Sequence, residues 1–181
     1  NRWPRHELVL ACGCEFYHKF IWQCLRDGVL AFSRLGVMDV IVASMKDLPD
    51  SLLVQSTACH TLGSFFTGLL STLSTDNKVA QEKRRFVQDL DGIDLILKAM
   101  TRFPDSAALQ FSACEALVTL YKCCDCNGDD DDNKASSITR MIKEAIDKSD
   151  AVTAIDKAMA KFPEDIGIQG WGDAFRKIVL A

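Results

Sequence analysis

The chain has 181 residues, 48% of them hydrophobic and 25% charged, with a formal charge of −4. That balance excludes an intrinsically disordered chain, and the length allows one or two compact domains or a short repeat array. Much of the negative charge sits in one stretch, at Asp125, Asp129, Asp130, Asp131 and Asp132, and the rest of the surface is close to neutral. No basic stripe of the kind a nucleic-acid binder displays is present, so no nucleic-acid partner is expected.

No apolar run reaches the roughly 20 residues that cross a bilayer, so no membrane insertion is expected. The opening Trp3-Pro4-Arg5-His6-Glu7 does not read as a signal peptide, and without an initiating Met the chain reads as a fragment of a longer protein. Several of the eight cysteines lie beside Ala and Leu inside apolar helical patterns. They suit free thiols in a reducing, cytoplasmic compartment.

Taken in chain order, Glu7 to His18 reads as the last helix of a preceding unit, and Phe20 to Ser33 as the first helix of the next. Val37 to Leu48 has apolar residues at helical spacing and stops at Pro49-Asp50. Proline lacks an amide hydrogen and disfavours the helical conformation of the residue before it, so the helix ends there. The acid then suits the N-terminus of the following helix, where free amides and the helix dipole favour negative charge. That helix carries Gln55-Ser56-Thr57-Ala58-Cys59-His60-Thr61-Leu62, and a Ser/Thr-rich insertion is expected at 67–76.

The pattern then returns. Asn77 to Gln88 predicts a first helix and Ile93 to Phe103 a second, ended by Pro104-Asp105. A third helix carries Gln110-Phe111-Ser112-Ala113-Cys114-Glu115-Ala116-Leu117, at an offset of 55 residues from its counterpart. An acidic insertion at 125–133 follows. Lys134 to Lys148, then Val152 to Phe162 with Pro163-Glu164, then Gln169 through Gly172 to Phe175 make a third, looser copy at an offset of 59. Small residues such as the Ala-Cys pair let helix backbones approach, and the Leu seven residues after the Gln extends the same apolar stripe.

The unit is therefore helix, helix, Pro-turn, long helix, and in this it resembles the armadillo repeat family. The most specific stretch is Gln110 to Leu117 preceded by Phe103-Pro104-Asp105. The resemblance implies an all-α fold, a right-handed α-α superhelix of about three units plus the last helix of a preceding one. As one repeat domain over 1–181, it divides into 1–18, 19–70, 77–124 and 134–181. The offsets exceed the usual armadillo length of about 40–47 residues, which the two insertions account for; a HEAT-like array of two-helix units is the structural neighbour.

In armadillo proteins the third helices line a concave face that holds an extended peptide. Members that carry nuclear import signals use a ladder of Trp and Asn there. The Trp position falls on His60, Glu115 and Ala174, and the Asn position on Ser64, Thr119 and Ile178, so that ladder is absent. The resemblance thus implies a protein-binding scaffold, with another protein or an extended peptide as partner. Helical spacing along the third helices picks Ser56, His60, Ser64, Phe111, Glu115 and Thr119 as the groove candidates. Phe111 reads equally as an anchor for a partner and as packing against a neighbouring repeat.

The remaining chemistry points away from catalysis. Zinc sites usually show Cys-x-x-Cys pairs with a defined second pair; Cys12-x-Cys14 and Cys123-Cys124-x-Cys126 are atypical of that pattern, and the repeat holds them far apart. Asp125-x-Asn127-x-Asp129 begins like a calcium-binding loop, but Asp130 stands where Gly belongs and Ser136 where Glu belongs. None of His6, His18 and His60 sits in a nucleophile motif, and Gly167-x-x-Gly170-x-Gly172 lies in a predicted helix, where it favours close packing over phosphate binding. No enzyme activity, metal or cofactor is expected. A structural subunit of a large assembly, and less so a thiol-rich metal-binding regulator, are the competing functions.

Overall fold

A computed structural model of the chain describes residues 6–71, 77–122 and 135–179. Among these residues there are nine α-helices and no strand. They are α1 (Glu7–Arg34), α2 (Val37–Asp47), α3 (Leu52–Ser71), α4 (Asn77–Gln88), α5 (Gly92–Arg102), α6 (Ala107–Lys122), α7 (Ala135–Asp147), α8 (Ala151–Lys161) and α9 (Ile166–Val179). From α4 onward the helices fall into the expected triplets. Helices in equivalent places stack on one another: α3 on α6 and α6 on α9, α2 on α5 and α5 on α8, and α4 on α7.

The beginning of the chain differs from expectation. The two helices read at Glu7–His18 and Phe20–Ser33 are one continuous helix of 28 residues. Nothing between His18 and Phe20 breaks a helix: Lys19 is a good helix former, and no proline follows. One helix therefore does two jobs. It packs along α3 as α3 packs along α6, and it also touches α2 and α4. The expected insertion at 67–76 also begins later than its first residues indicate, because α3 runs on to Ser71. The acidic stretch 125–133, and with it the partial calcium-loop motif, lies outside the described residues.

The turn between second and third helices is the most faithful part of the repeat. Leu48, Phe103 and Phe162 each leave the helix with φ near −121 to −125° and ψ near 60°. Each stands before a proline, which disfavours the helical region. The amide of each repeated Gln then closes the helix end it faces. Gln55 Nε2 donates to the carbonyls of Met45 (2.9 Å) and Leu48 (3.0 Å). Gln110 repeats this with Met100 (2.8 Å) and Phe103 (3.1 Å), and Gln169 with Met159 (2.8 Å) and Phe162 (3.0 Å). The last carbonyls of a helix have no partner inside it, so one side chain satisfies two of them at once.

The acids behave differently from the expectation that they cap the third helix. The cap is the next residue: Ser51 Oγ accepts from the Val54 amide, Ser106 Oγ from the Leu109 amide, and Asp165 Oδ1 from the Ile168 amide. Asp50 and Asp105 instead reach the following repeat, where Asp50 pairs with Arg102 (2.6 Å) and Asp105 with Lys161. A side chain at Ncap faces the amides two and three residues on, whereas one position earlier it points away from them.

A single apolar core runs through the stack. Phe32, Phe65, Phe66 and Phe86 are fully buried and touch in sequence, with ring centroids 4.3, 5.5 and 5.3 Å apart. Gly92 makes room for this line, because a Cβ there would lie 2.2 Å from the Phe86 ring. The cysteines also line up. Cys59 is buried with Cys14 on one side and Cys114 on the other, and burial pushes the three thiols up to about 12, 11 and 12 respectively. These are packing groups and poor nucleophiles.

Candidate functional site: the face of the third helices

The residue after each of these cysteines, Glu15, His60 and Glu115, places one polar group per helix on the same side of α1, α3 and α6. On α3, His60 is half-buried and its ring lies on that of His18 from α1, with centroids 3.8 Å apart and planes tilted by 34°. Ser64 Oγ is 2.6 Å from His18 Nδ1 and 3.0 Å from the His60 carbonyl, to which it donates. Ser64 so ties the His18 ring of α1 to the backbone of α3.

Burial of the rings holds both histidines below their ordinary value, and in His18 the nearby His60 adds to this. The Glu15 carboxylate opposes the shift at both rings. Two neutral imidazoles at pH 7 are the result.

Glu115 sits one repeat further on. Its carboxyl packs over Gly63, where a Cβ would lie 3.2 Å from Oε2. Among the described residues no cation or donor meets that carboxylate, and burial raises it above the ordinary glutamate value. Removing a carboxylate from water without a partner costs free energy, so this group is a point of stored cost in the isolated chain.

The other sequence candidates divide. Ser56 is half-buried at the start of the α3 face. Phe111 is half-buried against the next repeat: a Cβ on Gly167 would lie 2.5 Å from its ring. The ring thus packs on the neighbouring repeat and keeps part of its surface exposed. Ser64 and Thr119 are corrections to the groove list, being only 2% and 1% exposed. Thr119 spends its hydroxyl on the Glu115 carbonyl of its own helix (2.7 Å). The reason is geometric: each four-residue step turns roughly 40° past a full circle, so two steps carry the side chain roughly 80° off the face and into the neighbouring helix.

Sequence reasoning missed Glu15 and His18. The signal was there in outline, since Cys14-Glu15 matches Cys59-His60 and Cys114-Glu115, but the lone Cys14 lacks the preceding Gln that anchors the other copies.

Other candidates are less organised. Cys12 is exposed while Cys14 is buried, so the two thiols do not face one site. Cys123, Cys124 and Cys126 lie outside the described residues. No group of three or more His, Cys, Asp or Glu suited to a metal occurs among the described residues. Gly167 and Gly172 do serve close packing, against Phe111 and Met159, while Gly170 faces open space. A hollow of about 1270 Å³ lies on the side of α2, α5 and α8, away from the third-helix face. Some of its charges are paired, Lys98 with Asp94 and Arg102 with Asp50, both at 2.6 Å. No described helix is long and apolar enough to cross a membrane. No protein-family model, curated protein or solved structure matches the chain.

Proposed function

We propose that the chain is a non-catalytic protein-interaction scaffold, an armadillo-type superhelix that holds a partner protein or extended peptide along a concave face made by α1, α3, α6 and α9. The observation that supports this reading is Glu115, a half-buried carboxylate without a cation among the described residues, set over Gly63 in the middle of that face. A Lys or Arg from a partner would supply the missing charge and offset the burial cost, and charge-assisted hydrogen bonds of this kind are the stronger sort. Free buried thiols at Cys14, Cys59 and Cys114 go with a reducing, cytoplasmic setting.

Peptides selected from a random display library against the chain test this reading. The expected ligands carry a basic residue and lose at least tenfold in affinity with Glu115→Gln. Ligands indifferent to that change would remove the third-helix face from the reading.

A second reading, a structural subunit of a larger assembly, has its own support. Leu8, Val9 and Phe16 on α1 are 59%, 54% and 63% exposed, three apolar side chains that a contact surface on this helix would cover. Ligands that are lost with Leu8→Ser and Phe16→Ser, and kept with Glu115→Gln, would favour it.

A further inference from the structure

The contact between α1 and α3 contains a group that the scaffold reading leaves unused. His18 and His60 lie ring on ring across this contact, half-buried, and Ser64 fixes one of them. Beside them Thr61 Oγ1 shares its proton between the Cys14 carbonyl at 2.9 Å and the Thr57 carbonyl of its own helix at 2.8 Å, and below them Ala11, Cys14, Ala58 and Cys59 form the buried seam. We infer that this seam is a proton-sensitive joint: neutral imidazoles hold the first half of α1 on α3, and protonation of the pair releases it.

The argument runs on charge and space. A proton on either ring turns a neutral stack into a cation against a neutral ring, in a site that burial makes poor at hydrating it. The charged groups that act on the pair are Glu15 and Lys19 of α1. On the far side of α3, Glu115 of α6 rests against Gly63, one turn from His60. Among the described residues α2 and α4 bring no charge that acts on His60. Glu15 balances a first proton, since among the described residues it is the one carboxylate acting on both rings. A second proton finds no second carboxylate among the described residues and a like charge at 3.8 Å between centroids. Released from α3, both rings hydrate and titrate in the ordinary range near 6.5.

The closed seam thus binds fewer protons than the open one below that pH, and acid favours opening. The opening constant rises by up to tenfold per pH unit for one proton and up to a hundredfold for two. This device is the fold's own and does not depend on which partner the scaffold holds.

Amide hydrogen exchange of the whole chain between pH 7.5 and 5.5, corrected for the intrinsic pH dependence of exchange, reads the opening constant directly. Amides at 7–20 should show a steepening slope below pH 6.5 that exceeds one proton, while amides of α5 and α8 stay flat. His60→Phe keeps a ring on His18 and should reduce the slope to one proton or fewer. His18→Phe combined with His60→Phe should abolish it. A flat parent profile, or a slope that survives the double substitution, would overturn the inference. Should the double variant not fold, histidine ring titration of the parent by NMR decides: midpoints below the ordinary value and separated from each other support the joint, and two rings titrating together near 6.5 overturn it.

Discussion

The seam between α1 and α3 and the seam between α6 and α9 solve one packing problem with different chemistry. In the first, polar rings meet: His18 lies on His60, and Ser64 and Thr61 take up the polar atoms around them. In the second, an apolar ring meets an absent side chain, Phe111 of α6 over Gly167 of α9. The lesson is that the first seam depends on charge staying off and the second on bulk staying out. Each should fail under the stress that the other tolerates.

The largest expected effect comes from bulk at the glycine seam. Gly167→Val should cost about 3 kcal/mol in urea denaturation, because a Cβ 2.5 Å from the Phe111 ring forces that ring and its helix to move. Gly63→Ala, whose Cβ would meet the mobile end of Glu115 at 3.2 Å, should stay within about 1 kcal/mol of the parent. Equal costs at the two glycines would mean that an aromatic ring and a flexible carboxylate side chain give way alike.

Next comes the device common to all three repeats. Gln110→Leu leaves the Met100 and Phe103 carbonyls without their donor and should cost about 2 kcal/mol, and Gln55→Leu a similar amount. A large difference between the two would mean that the repeats are not energetically equivalent.

Acid should then separate the seams. The folded-state values of His18 and His60 lie below the ordinary 6.5, so the neutral pair contributes stability above that pH. That contribution is lost as the pH falls from 6.5 through the folded values, by at most ~1.4 kcal/mol per pH unit for each proton. A series of denaturation curves at pH 7.5, 6.5 and 5.5 should show the loss, and His60→Phe should reduce it. Gly167→Val should leave the histidine part of the loss in place.

The smallest effect is a gain. Burial raises Glu115 above the ordinary 4.5, so its protonated form favours the fold and that contribution is lost as the pH rises through the raised value. Glu115→Gln should therefore raise the melting temperature at pH 7 by a few degrees at most, corresponding to about 1 kcal/mol or less, with little change at pH 4. A lower melting temperature at pH 7 would show that the carboxylate has a partner in solution.

Much of the repeat was legible because it is local chemistry. A proline after Leu48, Phe103 and Phe162 ends a helix wherever it occurs, and the Ala-Cys stripe of Ala58-Cys59 and Ala113-Cys114 marks the buried side of a helix by spacing alone. The Gln was visible as a recurrence, but its role was not. Only the folded turn brings two helix-end carbonyls within reach of one amide, ten and seven residues back in the chain.

The candidate site was less legible for the same reason in reverse. Ser64 and Thr119 share a sequence spacing with Ser56 and Phe111, yet helical drift turns them against neighbouring helices. Asp50 and Asp105 sit beside a helix start, yet their partners, Arg102 and Lys161, come from the repeat that follows. Whether a polar group faces a groove or a partner depends on a helix about 50 residues away.

The sequence by itself determined an all-helical chain built from a recurring triplet, with the breaks and small-residue stripes in place, because these follow from backbone sterics and periodicity. The tertiary structure alone decided that α1 runs unbroken through two roles, that His18 meets His60, and that Glu115 is half-buried over a glycine without a counter-ion among the described residues. Those outcomes rest on which side chain lies across each helix contact, and desolvation and charge act there through space, without regard to order along the chain.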